Sequence, residues 1–198
     1  MTVVERFLKY VGFDTQSDEN SGESPSTGKQ KILGAALAEE LSALGLHNAH
    51  MDEHGYVYGW LPASPGCEGI PCVGLIAHMD TSPDAPGEGV KPRIVRYEGG
   101  DLVLNQEKGI VMRAAEFESL GRYVGQELIV TDGTTLLGAD DKAGVAEIMT
   151  AAQQLLAMGG RHATLKIGFT PDEEIGEGAS LFDIPGFGAD FAYTVDGG

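Results

Sequence analysis

The chain has 198 residues, of which 42% are hydrophobic, so one folded domain with a sizeable core is expected rather than disorder. Its formal net charge of -17 argues against nucleic acid as a partner, because phosphate groups would repel so acidic a surface. No apolar run approaches the roughly 18 residues of a membrane helix. Charged residues near Met1 also interrupt what would be the apolar region of a signal peptide, so a cytoplasmic location is expected.

The first 45 residues predict two helices. Thr2 and Glu5 form a capping-box pattern before an apolar helical face. The polar stretch 14–26 indicates a loop. A second helix is predicted over residues 29–44, with Gly45 as its stop.

Short apolar segments then alternate with a third helix, predicted from Asp141 or Lys142 to Met158. Residues 82–125, rich in glycine, proline and charge, indicate long loops with short strands. This alternation is typical of an α/β sandwich with a mixed or parallel sheet. Five strands are predicted, at residues 56–61, 72–77, 128–131, 165–170 and 191–195.

Two cysteines, Cys67 and Cys72, lie five residues apart in a stretch rich in glycine and proline. A disulfide between them is conceivable, but free thiols are expected in a cytoplasmic protein. The sequence has no other cysteine with which to build a Cys-rich zinc site.

Polar clusters follow four of the predicted strands. If these strands share one sheet, the clusters meet at the rim formed by the carboxyl ends of the strands. Histidine nitrogen and carboxylate oxygen are the usual ligands of catalytic zinc, and only a carboxylate offers two oxygens to bridge two ions. The clusters are His78-Met79-Asp80, Asp140-Asp141, Asp172-Glu173-Glu174 and Asp196-Gly197.

Each cluster also has an ordinary explanation when taken alone. His78 is compatible with a satisfied core or surface histidine, and Asp140-Asp141 with a pair that caps a helix. Glu173-Glu174 is compatible with a solvated turn, and Asp196-Gly197 with a plain turn. Four such clusters, each after a buried strand, are improbable as chance.

These motifs resemble the co-catalytic zinc exopeptidases, and among them the tripeptide aminopeptidases. The resemblance spans nearly the whole chain, and the ending Thr-Val-Asp-Gly-Gly favours the tripeptide aminopeptidases over the aminoacylase and carboxypeptidase G types. Further matches lie at residues 5–8, 14–17, 131–133, 169–174 and 193–198. The most specific runs are His78-Met79-Asp80-Thr81-Ser82-Pro83-Asp84 and Thr135-Leu136-Leu137-Gly138-Ala139-Asp140-Asp141-Lys142-Ala143-Gly144.

The resemblance implies a three-layer α/β sandwich with a mixed, mostly parallel sheet and two zinc ions per complete active site. His78 and Asp196 would bind one ion, Asp140 would bridge both, and Glu174 would bind the second. The substrates would be tripeptides, from which the N-terminal residue is released.

The resemblance also implies two catalytic residues. Asp80 would orient the imidazole of His78. Glu173 would be the general base that takes a proton from the bridging water and passes it to the leaving amine. The peptide bond between Asp140 and Asp141 is expected to be cis.

Members of this family are about twice as long as this chain. Residues 1–198 are therefore expected to be the N-terminal part of the catalytic domain, without the lid domain and the C-terminal part that supplies the last zinc ligand. His162 is no substitute for that ligand, because it lies in the loop between helix and strand at the far rim. We expect little peptidase activity from this fragment, and an exposed sheet edge through which it self-associates.

Three alternatives stay open at this point. A related zinc deacylase or carboxypeptidase would keep the metals and change the substrate. A non-catalytic metal-binding or interaction module would keep the fold without turnover. A plain acidic globular domain would bind no metal.

Overall fold

The computed structural model describes residues 1–197, so Gly198, the last residue of the Asp-Gly-Gly motif, lies outside the described residues. Over this range the helices are α1 (Val3–Tyr10), α2 (Gln30–Leu44), α3 (Ala139–Met158) and α4 (Ile184–Phe187). The strands are β1 (His47–Met51), β2 (Val57–Leu61), β3 (Val73–His78), β4 (Arg93–Arg96), β5 (Leu102–Asn105), β6 (Ile110–Met112), β7 (Glu127–Val130), β8 (Leu165–Thr170) and β9 (Phe191–Thr194).

A five-stranded mixed sheet organises the chain, in the order β1-β2-β8-β3-β9. Strand β3 pairs in parallel with β8 and with β9, whereas β2 pairs antiparallel with β8 and with β1. The remaining strands form two separate antiparallel pairs, β4 with β7 and β5 with β6. The expected α/β architecture with a mixed sheet is confirmed.

Three helices cover one face of the central sheet and enclose the main core. Helix α1 packs against α3, while α2 and α3 pack against the sheet. The buried apolar side chains of this layer include Leu33, Leu37 and Leu41 of α2, Val145, Ile148 and Met149 of α3, and Val57, Ala77, Ile167 and Phe169 of the sheet.

The opposite face of the sheet carries a thinner layer, formed by α4 and the turns before it. Phe182 and Phe187 pack edge to face, with ring centroids 5.0 Å apart. Their rings lie where the Cβ atoms of Gly74 and Gly168 would stand, so these two glycines let the aromatic rings reach the backbone of the sheet.

The ends of the first two helices follow the sequence signals. The Thr2 side chain accepts a hydrogen bond from the Glu5 N–H, and the Glu5 carboxylate accepts one from the Thr2 N–H, which completes the predicted capping box. Gly45 ends α2 with φ of 93°, a left-handed conformation that favours glycine.

Helix α1 buries only part of the apolar stripe of its sequence, including Phe7, together with a charged residue. Val3 and Val4 are partly exposed, whereas Arg6 is buried. The Arg6 guanidinium donates to Glu40 of α2 at 2.8 Å and to Thr150 of α3 at 3.1 Å. These partners allow a charged side chain to be buried where three helices meet.

Strand β1 was not predicted from the sequence, because its residues His47–Met51 are mostly polar and lie at the sheet edge. Cys67 and Cys72 are free thiols, as expected. Among residues 1–197, no helix combines the length and the apolar character that a membrane crossing requires.

Helix α2 offers a direct test of this core. We expect Leu37→Ala to lower the free energy of unfolding by about 2–5 kcal/mol, because it removes buried methyl groups and leaves a cavity. Ile32→Ala on the same helix is the matched control, since Ile32 is 61% exposed and its loss should change stability little. Urea denaturation measures both, and equal losses for the two variants would contradict the assignment of the buried face.

Candidate metal centre

The parallel strands β8, β3 and β9 bring their carboxyl ends to one edge of the central sheet, called the rim below. His78 is the last residue of β3 and lies opposite Thr170, the last residue of β8. Glu173 and Glu174 follow β8 in a short 3₁₀ turn, and Asp196 follows β9. Three of the four polar clusters therefore lie together at the rim.

The fourth cluster reaches the rim by another route. Strand β7, which precedes it, pairs with β4 in a separate sheet, so the four strands do not share one sheet. The apolar pattern of a short strand does not identify its pairing partner, so the sequence could not show that β7 lies outside the central sheet. Asp140 instead comes to the rim at the start of α3, which packs against β3.

The start of α3 is irregular at the two aspartates. Asp140 and Asp141 have non-helical backbone angles, and the peptide bond between them is cis, as the resemblance implied. Regular helix begins at Lys142, in agreement with the predicted start.

His78 is buried at the centre of the cluster. Its Nε2 atom lies 2.9 Å from Asp140 Oδ1 and 3.8 Å from Glu173 Oε2. Burial disfavours a charged imidazole, but the carboxylates of Asp80 and Asp140 outweigh it and raise the pKa of His78 to about 10. A cation that binds this ring must therefore displace a proton at neutral pH.

Asp80 connects His78 to the Glu173-Glu174 turn. Its carboxylate is fully buried, and one oxygen lies 3.3 Å from His78 Nδ1. The two oxygens also accept hydrogen bonds from the N–H groups of Glu173 at 2.9 Å and of Glu174 at 3.1 Å. The sequence motif predicts only the contact of Asp80 with the imidazole, because the contact with the Glu173-Glu174 turn depends on β8 lying beside β3.

Asp141 is a buried carboxylate that sequence analysis did not single out as a ligand. It accepts hydrogen bonds from the N–H groups of His78 at 3.3 Å and of Gly144 at 3.1 Å. Burial raises the pKa of Asp141 to about 7, and the nearby charge of Asp196 acts in the same direction. A Cβ atom on Gly144 would collide with this carboxylate and with the Val195 carbonyl oxygen, so only glycine fits there.

Lys142 supplies a buried cation close to these acidic groups. Its Nζ atom donates to the Phe13 carbonyl oxygen at 2.7 Å, which ties the segment after α1 to the start of α3. Burial lowers the pKa of Lys142 to about 8, while the charges of Asp14 and Asp80 oppose this effect.

Asp172 is the second buried carboxylate that the sequence did not assign, although it begins the motif Asp172-Glu173-Glu174. It has φ of 57°, a left-handed conformation that is uncommon for residues other than glycine. Its carboxylate accepts hydrogen bonds from the Ser26 N–H, the Ser26 hydroxyl and the Gln30 side-chain amide.

Two overlapping groups of side chains could hold a metal ion. His78, Asp140 and Glu174 form one group, and His78, Asp141 and Asp196 form the other. In each group the ligand atoms lie within 4.8 Å of one another. Imidazole nitrogen with carboxylate oxygen is a donor set that suits zinc, so these residues fit such an ion. His162, by contrast, lies before β8, at the opposite end of that strand from the rim.

Comparisons with known proteins identify one group of relatives. No family model matches the chain. Peptidase T of Desulfitobacterium hafniense strain Y51 is 58% identical over 199 residues, an alignment that covers 100% of this chain and 48% of the relative. The chain thus spans about half the length of the curated relatives that it matches.

Solved structures point to the same group. The aminopeptidase PepT from Bacillus cereus ATCC 10987 matches with a TM-score of 0.68 and 26% identity, over 98% of this chain and 43% of that one. A tripeptidase from Staphylococcus aureus matches with a TM-score of 0.65 and 27% identity, over the same shares of the two chains. The resemblance indicated by the motifs is confirmed: this chain is similar to peptidase T along its whole length and spans about half of that protein's length.

Proposed function

We propose that this chain forms the N-terminal part of the catalytic domain of a metallo-aminopeptidase that releases the N-terminal residue from tripeptides with the help of two zinc ions. The observation that carries the proposal is the pair of ligand groups that share His78, with Glu173 beside them. The names of the relatives, peptidase T and tripeptidase, support the substrate class.

Four residues would hold the ions. His78 and Asp196 would bind one zinc ion, and Glu174 would bind the other. Asp140 would bridge both, since it contacts His78 and belongs to the group that contains Glu174. We assign Asp141 to a supporting role, because its two oxygens already accept backbone hydrogen bonds that join β3 to α3.

Bound zinc would supply Lewis acidity that polarises the scissile carbonyl group and acidifies a water molecule. Glu173 would accept the proton of that water and return it to the leaving amine. Its side chain is half-exposed at the rim while its N–H group is held by the buried Asp80. The base is therefore open to substrate but attached to a fixed backbone.

The part of the relatives that this chain does not span would carry the last zinc ligand and the lid domain. Without that ligand, the second ion would be held by Asp140 and Glu174 alone. We therefore expect the 198-residue chain to bind zinc but to show little or no tripeptidase activity by itself.

Removal of the bridging carboxylate tests the ligand assignment. We expect Asp140→Ala to abolish binding of both ions at zinc concentrations that load the unmodified chain, because each ion loses a ligand. Asp101→Ala, at an exposed carboxylate beside β5, is the control and should bind zinc normally. Elemental analysis after equilibrium dialysis gives the zinc content, and an unchanged content in Asp140→Ala would refute the bridge.

The general base is tested in a full-length protein that carries this sequence. We expect Glu173→Gln to retain its zinc and to lower kcat by about 10²- to 10⁴-fold, the usual contribution of a general base. Glu107→Gln, in the turn between β5 and β6, is the control. If Glu173→Gln lost zinc while Glu174→Gln retained it, the two roles would have to be exchanged.

Self-association is expected through β9. This strand is the edge of the central sheet, and its Phe191 and Tyr193 are 45% and 61% exposed. An edge with free N–H and C=O groups and exposed apolar side chains favours pairing with a second copy. We expect concentration-dependent dimers in sedimentation experiments, and their loss in Tyr193→Lys. Sedimentation of the unmodified chain as a monomer at all concentrations would contradict this expectation.

A further inference from the structure

Asp172 stands between the end of β8 and the Glu173-Glu174 turn, and it is attached to a distant part of the chain. It is 2% exposed. Its contacts are to Ser26 and Gln30, more than 140 residues earlier, at the entry and in the first turn of α2. The Asp172 side chain therefore links the segment that carries the proposed base, Glu173, to the start of α2.

The contacts of Asp172 are short and numerous. Its carboxylate accepts from the Ser26 N–H at 2.7 Å, the Ser26 hydroxyl at 2.5 Å and the Gln30 Nε2 at 2.6 Å. The Asp172 N–H donates in return to Gln30 Oε1 at 3.2 Å, so the two residues form a reciprocal pair. Hydrogen bonds to an ionised acceptor are the stronger kind, and breaking a buried one is costly.

The turn that carries Glu173 and Glu174 is thus held from two sides. Asp80, beside His78, accepts their N–H groups. Asp172, the residue before them, is held by Ser26 and Gln30. Its carbonyl oxygen also accepts a hydrogen bond from the Glu177 N–H at 2.9 Å. Because Asp172 has a left-handed backbone, its conformation sets the direction in which the chain leaves β8.

We propose that Asp172 is a positioning residue that sets the place of Glu173 and Glu174 at the rim by anchoring their turn to Ser26 and Gln30. The proposal rests on the proposed function, since it concerns the base and one zinc ligand of that site. Asp172 itself binds neither zinc nor substrate; it acts through the turn that follows it.

The reciprocal pair allows an exchange of groups between the two positions. Asp172→Asn alone places an amide where two oxygens now accept three hydrogen bonds, and Gln30→Glu alone places two carboxylates together in a buried site. In the double variant, the new amide at position 172 can donate to the new carboxylate at position 30 while its oxygen still faces Ser26. The double variant should therefore recover much of what either single variant loses.

The test is the affinity of the 198-residue chain for the second zinc ion, the one that Asp140 and Glu174 would bind, and every zinc affinity that follows refers to this ion. It is measured by titration under conditions where circular dichroism shows each variant to be folded. We expect Asp172→Asn and Gln30→Glu each to weaken zinc binding by about 10- to 100-fold, as loss of a residue that orients a ligand does. The double variant should restore most of the affinity. If both folded single variants bound zinc like the unmodified chain, or if the double variant recovered nothing, the proposal would be overturned.

A second variant decides the case in which Asp172→Asn does not fold. Ser26→Ala removes only the hydroxyl contact and leaves the Asp172 carboxylate in place. We expect this variant to stay folded and to bind zinc measurably more weakly, whereas unchanged affinity would overturn the proposal.

Glu174→Gln separates this inference from the proposed function. If Glu174→Gln bound zinc normally, Glu174 would not be a ligand and the proposed metal site itself would fail. If Glu174→Gln weakened zinc binding while folded Asp172→Asn did not, only the positioning role of Asp172 would be wrong.

Discussion

The site depends on the parallel pairing of β3 with β8. This pairing sets His78 opposite Thr170, so that the residues after each strand leave the sheet side by side. Asp80 then spans the gap, with its carboxylate against the His78 ring and against the N–H groups of Glu173 and Glu174. A slip of one residue in this register would turn every side chain of the strand to the other face and separate these groups.

The concentration of acidic groups at the rim has an electrostatic cost that the surrounding residues reduce. Buried carboxylates are stable only with hydrogen-bond donors or opposite charges nearby. Asp80, Asp141 and Asp172 each accept at least two backbone or side-chain hydrogen bonds. Lys142 contributes a buried positive charge, and the raised pKa of His78 keeps its ring protonated at neutral pH. A bound cation would take over from the His78 proton in balancing the negative charge of the carboxylates, and metal binding would therefore release that proton.

The two faces of the sheet are unequal. Helices α1, α2 and α3 enclose a continuous core on one face, whereas α4 with Phe182 and Phe187 covers only part of the other. Among the described residues, β9 is the last strand at one edge of the sheet, and its Phe191 and Tyr193 are exposed. The rim is nevertheless assembled, because its residues are positioned by contacts among β3, β8, β9 and α3.

The sequence by itself determined the three long helices, most of their ends, five of the strands and the kinds of side chain that gather at the candidate site. Capping residues, apolar periodicity and the motifs around His78, Asp140 and Glu174 are local signals, and the structure places these residues together. Only the tertiary structure decided that β7 lies outside the central sheet, that Arg6 is buried, and that Asp141 and Asp172 are buried anchors. Those features depend on which distant segments meet: the partners of Asp172 lie more than 140 residues away, and local patterns carry no information about such contacts.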